Sequence, residues 1–516
     1  MRQYETFELV YEGPVLANEY ARVDVTAEFC CEDETKVVKG FYDGDGRYVV
    51  RFLPEKTGNY TWHVSGVVDG CGEAFCDPAG EGHHGIVKAV ETHFECEDGT
   101  LFTPFGTTVY ALASQEDALV EETLESLKNA PFNKVRMCVF PKHYDYNHNE
   151  PPYYAFEKKE DGSWDVGRPN LQFWHRFEAI LHRIAAMDIQ IDLILFHPYD
   201  RWGFARLPQQ DNLKYLDYLL RRLSAMPNIW WSLANEYDLN LASKSMRDWE
   251  EIEEYVAAND PYGHPLSNHN CMAFWDASRP AITHASYQTK ALTEIARWIE
   301  KYQKPLIIDE CCYEGNLQHF WGSISGREMV YRFWRCYASG AYCTHGETFL
   351  SDDEILWWAR GGKLKGESPK RIAFLREIIE SLPGALTPIQ NGLVKLALAT
   401  PEQLEEMLKV LPEEMRGFVQ TFGNSLQMMN ETERLIHLSG EHEWTAQVKE
   451  EAYLWFNDKQ CYAIQDLRLP EDKKYRIEMI DVWEMTREVI EEEVTGPTRI
   501  HLPGREGLAV LATRIG

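Results

Sequence analysis

The chain has 516 residues, more than one hydrophobic core usually organises, so two or three domains are expected, one of them large enough for an enzyme barrel. An apolar content of 44% and an aromatic content of 13%, with no low-complexity tract, exclude a disordered chain. A formal net charge of -30 excludes the clustered basic surface that nucleic acid requires, disfavours an acidic polymer as substrate, and otherwise describes a solvated surface.

The first residues, MRQYETFELVYEGP, lack a basic segment followed by an apolar one, and no run reaches the roughly eighteen apolar residues that span a bilayer. A cytoplasmic location with no membrane partner is the expectation. The twelve cysteines include the adjacent pairs Cys30-Cys31 and Cys311-Cys312 and form no C-x-x-C pair, so they read as reduced thiols without a structural zinc site.

Residues 1 to about 92 carry short alternating runs such as YARVDVTAEF, RYVVRFLP and GNYTWHVSGVV between Gly, Asp and Pro turns, the pattern of a β-sandwich. A formal G-x-G-x-x-G at 80–85 is followed by no helix and reads as a loop, so no dinucleotide cofactor is expected. From about residue 100 short apolar runs alternate with amphipathic stretches, the signature of βα repeats around a parallel sheet. Eight strands are read, at 105–112, 133–140, 189–196, 228–235, 264–270, 282–287, 304–310 and 341–349, with helices such as NLQFWHRFEAILHRIAAM and GREMVYRFWRCYASG between them. After SLPGALTP at 381–388 a mixed segment leads into β runs including EAYLWFND, YRIEMIDVWEM and GLAVLATRI. The expected architecture is a (β/α)8 barrel at 93–385, flanked by an N-terminal β-sandwich at 1–92 and a smaller all-β domain at 386–516, mainly a β-sandwich.

In such barrels the active site lies at the C-terminal ends of the strands, so polar residues there are the candidates. Strand by strand they are Arg136 on strand two, His197 after three, Asn235 and Glu236 after four, and His269 and Asn270 after five. His284 and Tyr287 follow on strand six, Asp309 and Glu310 on seven, and His345 and Glu347 on eight. An apolar strand that ends in an ionisable residue sets a costly group at the rim of a core, which requires a function or a partner. Glu236 and Glu310 end strongly apolar strands 74 positions apart, room for three βα units, and would face each other across the barrel mouth. Two opposed carboxylates suit glycosidic-bond cleavage, one as proton donor and one as nucleophile, with retention if they lie about 5 Å apart. The donor needs a raised pKa, and the nucleophile would benefit from a cation such as Arg136. Each Glu taken alone could equally be a rim residue in an ion pair.

The segments WWSLANEYD, IIDECCYEG, VRMCVF and THASYQ together resemble the clan A retaining glycoside hydrolases. In these enzymes a strand-four Asn-Glu carries the acid/base, a strand-seven Glu is the nucleophile, strand two carries an Arg, and strand six carries a His-x-x-Tyr or similar pair. More narrowly, GTTVYALASQ, HPYDRWGF, LANEYDL and DECCYEGN resemble the apiosidase-like catalytic domain, carried between two β domains. The resemblance implies Glu236 as acid/base and Glu310 as nucleophile, with Arg136 and Tyr287 aligning Glu310 and Asn235 bonding the sugar 2-hydroxyl. His197 and His284 would complete the wall. Strand eight ends in CTHGETF, where many clan members place a Trp, which leaves His345 and Glu347 to make polar contacts instead. Trp202 and Tyr144 are candidate stacking platforms, and Asp200 and Arg201 candidate hydroxyl contacts. The implied partner is a carbohydrate, and no cofactor is called for; the expected cytoplasmic address suggests exo-action on imported oligosaccharides or plant glycosides.

Two rival readings remain at this level. One is a non-catalytic carbohydrate-binding barrel; the other is a metal-dependent hydrolase in which His197, His269, His284 and His345 converge, although no His-x-His pair is present. Oligomeric state is open, with a homo-oligomer built through aromatic patches of the β domains as one outcome.

Overall fold

A computed structural model describes every residue except 390–395, 397–398, 431 and 434–443. The chain forms two compact units, the first of residues 1–290, 302–329 and 342–376, the second of 291–301, 330–341 and 377–516.

In the first unit, a three-stranded sheet with Phe7–Glu12 and Arg47–Phe52 and a four-stranded sheet with Val25–Cys31 and Gly58–Gly66 enclose one core. The alternating runs put Ala27, Phe29, Val50 and Phe52 inward, and Phe29 stacks on Phe52 at 3.9 Å between ring centres. This is the two-layer arrangement expected of alternating sequences. Arg51 ties it to the barrel, donating to Glu178 at 3.0 Å and to the Arg222 carbonyl at 2.7 Å.

Eight parallel strands follow: Phe105–Thr108, Lys134–Cys138, Gln190–Phe196, Ile229–Ala234, Leu266–Ser267, Ala285–Gln288, Leu306–Glu310 and Tyr342–His345, seven within their expected runs and the sixth one residue past its own. They are paired in a single sheet whose open edges, strands five and six, meet through one bridge between His269 and Ser286. Burial on both faces explains why these strands are near-continuously apolar rather than alternating. The barrel's interior is layered. At its N-terminal end Phe94, from a small three-stranded sheet over 87–102, packs on Trp230, His284 and Tyr342. In the next layer Lys134 reaches Asp192 at 2.6 Å and Asp309 at 2.9 Å, while Arg136 Nε lies 3.4 Å from Asp192 and 3.8 Å from Asp309. Two cations and two anions thus neutralise each other where water is excluded.

In the second unit a six-stranded antiparallel sheet, including Trp444–Val448, Ala452–Phe456, Lys474–Asp481 and Leu508–Arg514, buries Tyr475, Ile477 and Val510. The mixed segment before it holds helices Pro401–Val410 and Glu413–Met428, the first opened by a Thr400–Gln403 capping box.

Candidate active site

Glu310 is the last residue of barrel strand seven, and Glu236 follows strand four by two residues; both are almost wholly buried. Glu236 takes a left-handed backbone conformation, φ 56°, unusual for a side chain with a Cβ and a mark of local strain at a working position.

The two carboxyls sit in opposite electrostatic settings. Burial alone would raise Glu310, but the hydrogen bond and charge of His269, the Arg136 guanidinium and the Tyr110 hydroxyl outweigh it and hold the carboxyl down at about 2. His269 Nε2 and Arg136 stand 3.4 and 3.8 Å from Glu310 Oε1, and Tyr110 donates to that same oxygen. Glu236 has a raised pKa, first through burial and then through the charge of Glu310, offset in part by Lys142 and by the Tyr199 hydroxyl that donates to its Oε2. One group is poised to stay ionised and the other to keep its proton, the division a two-carboxylate hydrolase needs.

Several expected residues are where the sequence places them. Arg136 lies beneath Glu310, and Asp309 supports it from behind, accepting from Ser286 Oγ at 2.5 Å and Thr344 Oγ1 at 2.7 Å. Asn235 shares the Tyr110 hydroxyl with Glu310, its Oδ1 accepting from Tyr110 at 2.7 Å. His197 is neutral, pushed down to about 3 by burial and by Lys142, and its Nε2 donates to the Phe140 carbonyl at 3.2 Å. Tyr144 reaches the cleft loops, edge-on to Trp358 at 5.0 Å and tilted against Tyr199 at 6.0 Å. Trp202 is partly exposed, its indole donating to Glu150 at 2.9 Å with Arg201 stacked over it at 5.0 Å.

Others are placed differently. His284 precedes strand six rather than ending it, so it lies at the N-terminal end of the barrel against Phe94 and Trp230, with burial pushing it down to about 4. Tyr287 has the opposite side-chain parity to the inward Ser286; it stacks on Phe274 at 4.3 Å and bonds to Tyr302, away from Glu310. His345 is likewise outward of Thr344, stacked on Phe132 at 4.9 Å with Nδ1 3.1 Å from Thr107 Oγ1. Glu347 accepts from the Lys365 and Gly366 amides, and burial with the charge of Glu314 raises it to about 7. Asp200 spends both oxygens on the amides of its own loop, Trp202, Gly203 and Ala205. Arg201 pairs with Glu150 at the surface. The four histidines of the metal-hydrolase reading therefore do not converge.

Four residues of the site escape sequence reasoning: Tyr110, Tyr199, Lys142 and Trp358. Lys142 is buried with its ammonium 3.3 Å from the Tyr110 ring centre and 4.4 Å from that of Tyr199, and burial lowers its pKa. Trp358, ten residues or more past strand eight, lies 6.1 Å from Tyr110 and 5.5 Å from Tyr313, the tyrosine beside Glu310. An aromatic residue therefore stands near the Glu310 pocket although strand eight itself ends in His345. For Tyr110, Lys142 and Tyr199 the signal was an aromatic or basic residue within a few positions of a strand end, as in VYAL, FPKHY and HPYD; Trp358 gives no such signal.

Residues 89–383 match the model of the apiosidase-like catalytic domain. The chain belongs to this family. Residues 1–66 and 442–513 match two domains of unknown function, DUF5060 and DUF5605. A crystal structure from Bacteroides vulgatus ATCC 8482, of a protein provisionally described as a glycoside hydrolase, is similar at 31% identity and a TM-score of 0.84, covering 100% of this chain and 99% of that one. A family 5 glycoside hydrolase from the same organism shares the fold at 12% identity and a TM-score of 0.57, over 83% of this chain and 94% of its own. No curated protein matches. As a member of the apiosidase-like family the chain is an enzyme, a glycoside hydrolase.

Proposed function

We propose that this apiosidase-like enzyme is a retaining, exo-acting β-glycosidase that uses Glu310 as nucleophile and Glu236 as acid/base. The observation that carries the reading is the opposed setting of the two carboxyls: Glu310 is held ionised by His269, Arg136 and Tyr110, while burial and the charge of Glu310 keep the proton on Glu236.

In the first step a Glu310 oxygen attacks the anomeric carbon as the glycosidic C–O bond breaks, and Glu236 gives its proton to the departing oxygen. The product is an ester between sugar and Glu310, with Glu236 now a carboxylate. Glu236 then takes a proton from water, whose oxygen attacks the anomeric carbon and frees Glu310 with net retention. The Tyr199 hydroxyl and the Lys142 ammonium favour the charged form of Glu236 that the second step needs. Trp358 and Tyr144 offer ring faces for the sugar.

Twelve free thiols, seven of them buried, support a reducing, cytoplasmic location, where short imported glycosides rather than polymers would be met. Exo-action follows from that location. The test is hydrolysis of aryl β-apioside, β-glucoside, β-galactoside, β-mannoside, β-xyloside and α-L-arabinosides, with the anomer of the first-formed sugar read by NMR. Cleavage with retention supports the reading; inversion, or cleavage undiminished in Glu310→Ala, refutes it.

A further inference from the structure

Outside the carboxylate pair, Glu314, His345 and Glu347 form a second cluster, with one ligand atom from each lying within 4.8 Å of the other two. All three are at most 1% exposed. Glu314 and Glu347 sit on short segments after barrel strands seven and eight that pair in parallel, Glu314 opposite Glu347. Both carboxylates face the segment 365–368. Glu314 accepts from the Glu367 and Ser368 amides at 2.7 and 3.1 Å, and Glu347 from the Gly366 amide at 2.8 Å. Gly366 is required there, because a Cβ would fall 2.7 Å from Glu347 Oε2 and against Glu314 as well.

Charge is the unsolved part of this arrangement. Among the described residues no lysine, arginine or histidine lies within ion-pair distance of either carboxylate, since Lys365 turns its ammonium to Asp353 at 2.8 Å. Two buried carboxylates facing each other without a cation carry a large desolvation cost. His345 supplies the independent observation. Its Nδ1 is engaged by Thr107, whose hydroxyl also accepts from the Trp357 indole at 2.8 Å, yet its Nε2 is buried with no hydrogen-bond partner among the described residues. A ring nitrogen held by an outer hydroxyl, with the other nitrogen left free, is the arrangement that orients a histidine ligand. His345 Nε2 makes no hydrogen bond to either carboxylate, and atoms within 4.8 Å of one another can share one ion at metal–ligand distances of about 2.1 Å.

We propose that Glu314, His345 and Glu347 bind one divalent transition-metal ion of the zinc or manganese class. The mixed imidazole and carboxylate donors suit such an ion. Its two positive charges balance the two carboxylates, and it joins the segments after strands seven and eight to residues 365–368. Tyr313, next to Glu314 and beside Glu310, is thereby held in place, so the ion supports the nucleophile's surroundings without touching substrate.

The experiment uses the full chain, purified without a metal-affinity step, stripped with dipicolinate, and titrated with Zn²⁺ and with Mn²⁺ by calorimetry and thermal unfolding. One equivalent of one of these ions is expected to bind and to raise Tm by several degrees, as binding to the folded state alone requires. His345→Gln and Glu347→Gln are expected to weaken that binding at least a hundredfold, whereas Glu310→Gln keeps it. X-ray absorption of the loaded wild type supplies the reading if a variant does not fold: one imidazole nitrogen and carboxylate oxygens, with no sulfur, are expected. No stoichiometric binding by the stripped wild type would overturn the proposal. So would sulfur in the coordination shell, binding that survives both substitutions, or binding lost in Glu310→Gln.

Discussion

The Tyr110 hydroxyl stands between Glu310 Oε1, to which it donates, and Asn235 Oδ1, 2.7 Å away. It has one proton for two acceptors, so it can bond only one at a time. In the proposed mechanism, when Glu310 becomes an ester and loses its charge, the proton is free to move toward Asn235; when the carboxylate returns, it moves back. Tyr110→Phe removes this donor and is expected to lower kcat by about a hundredfold, the usual scale for a donor aimed at developing charge. The acid limb of kcat/KM should also move to higher pH, because Glu310 loses a group that lowers its pKa. Tyr287→Phe, on the outer face of its strand, should leave both unchanged.

Between the limbs set by the two carboxyls, activity should be flat. Glu310 must be ionised and is held at about 2, so the acid limb falls well below the ordinary value of 4.5; Glu236 must be protonated and is raised, so the alkaline limb falls above 4.5. Stability follows the same signs. The depressed Glu310 stabilises the fold above its unfolded pKa, a contribution lost as pH drops toward about 2. The raised Glu236 does the reverse, costing stability as pH climbs past 4.5. Glu236→Gln should therefore gain stability relative to wild type between pH 4 and pH 7, measured by urea unfolding at the two pH values.

Lys142 lowers the pKa of Glu236 from within a cage of tyrosine rings. Lys142→Met keeps the stem and removes the charge, so the alkaline limb of kcat/KM should move to higher pH. Lys363→Met, at a side chain 75% exposed, should not move it. An unmoved limb in Lys142→Met would show that the ammonium does not act on the acid.

Trp358 presents its ring beside Tyr110, Tyr144 and Tyr313. If it carries the sugar, Trp358→Ala should raise KM by about tenfold, the 1–1.5 kcal/mol scale of one aromatic contact, with a smaller change in kcat. A variant with wild-type KM would remove Trp358 from the binding face.

The barrel was legible because its strands are buried on both faces: runs such as IQIDLILF and NIWWSLAN leave little choice of state, and seven of the eight fall inside their expected spans, the sixth running one residue past its own. Glu236 and Glu310 were legible for the same reason, as charges set directly after apolar runs. Side-chain direction was harder to read. Because direction alternates along a strand, an error of one position turns a residue from cleft to outer face, which is what separates Tyr287 and His345 from the site. His284 fails differently, sitting before its strand instead of on it. Tyr110, Tyr199 and Lys142 lie on loops, and Trp358 on the short helix Trp357–Arg360, whose course depends on what they pack against, and no local periodicity points them at Glu236 or Glu310.

The most direct test of the account is to incubate wild type with the 2-deoxy-2-fluoro glycosyl fluoride of the sugar it cleaves, and to locate the adduct by mass spectrometry of the digested chain. A slowed second step should leave one sugar esterified to Glu310, in the peptide containing IIDECCYEG, with Glu236→Ala labelled at the same residue. A label on any other residue would contradict the assignment of the nucleophile, and turnover with inversion and no adduct would contradict the double-displacement mechanism itself.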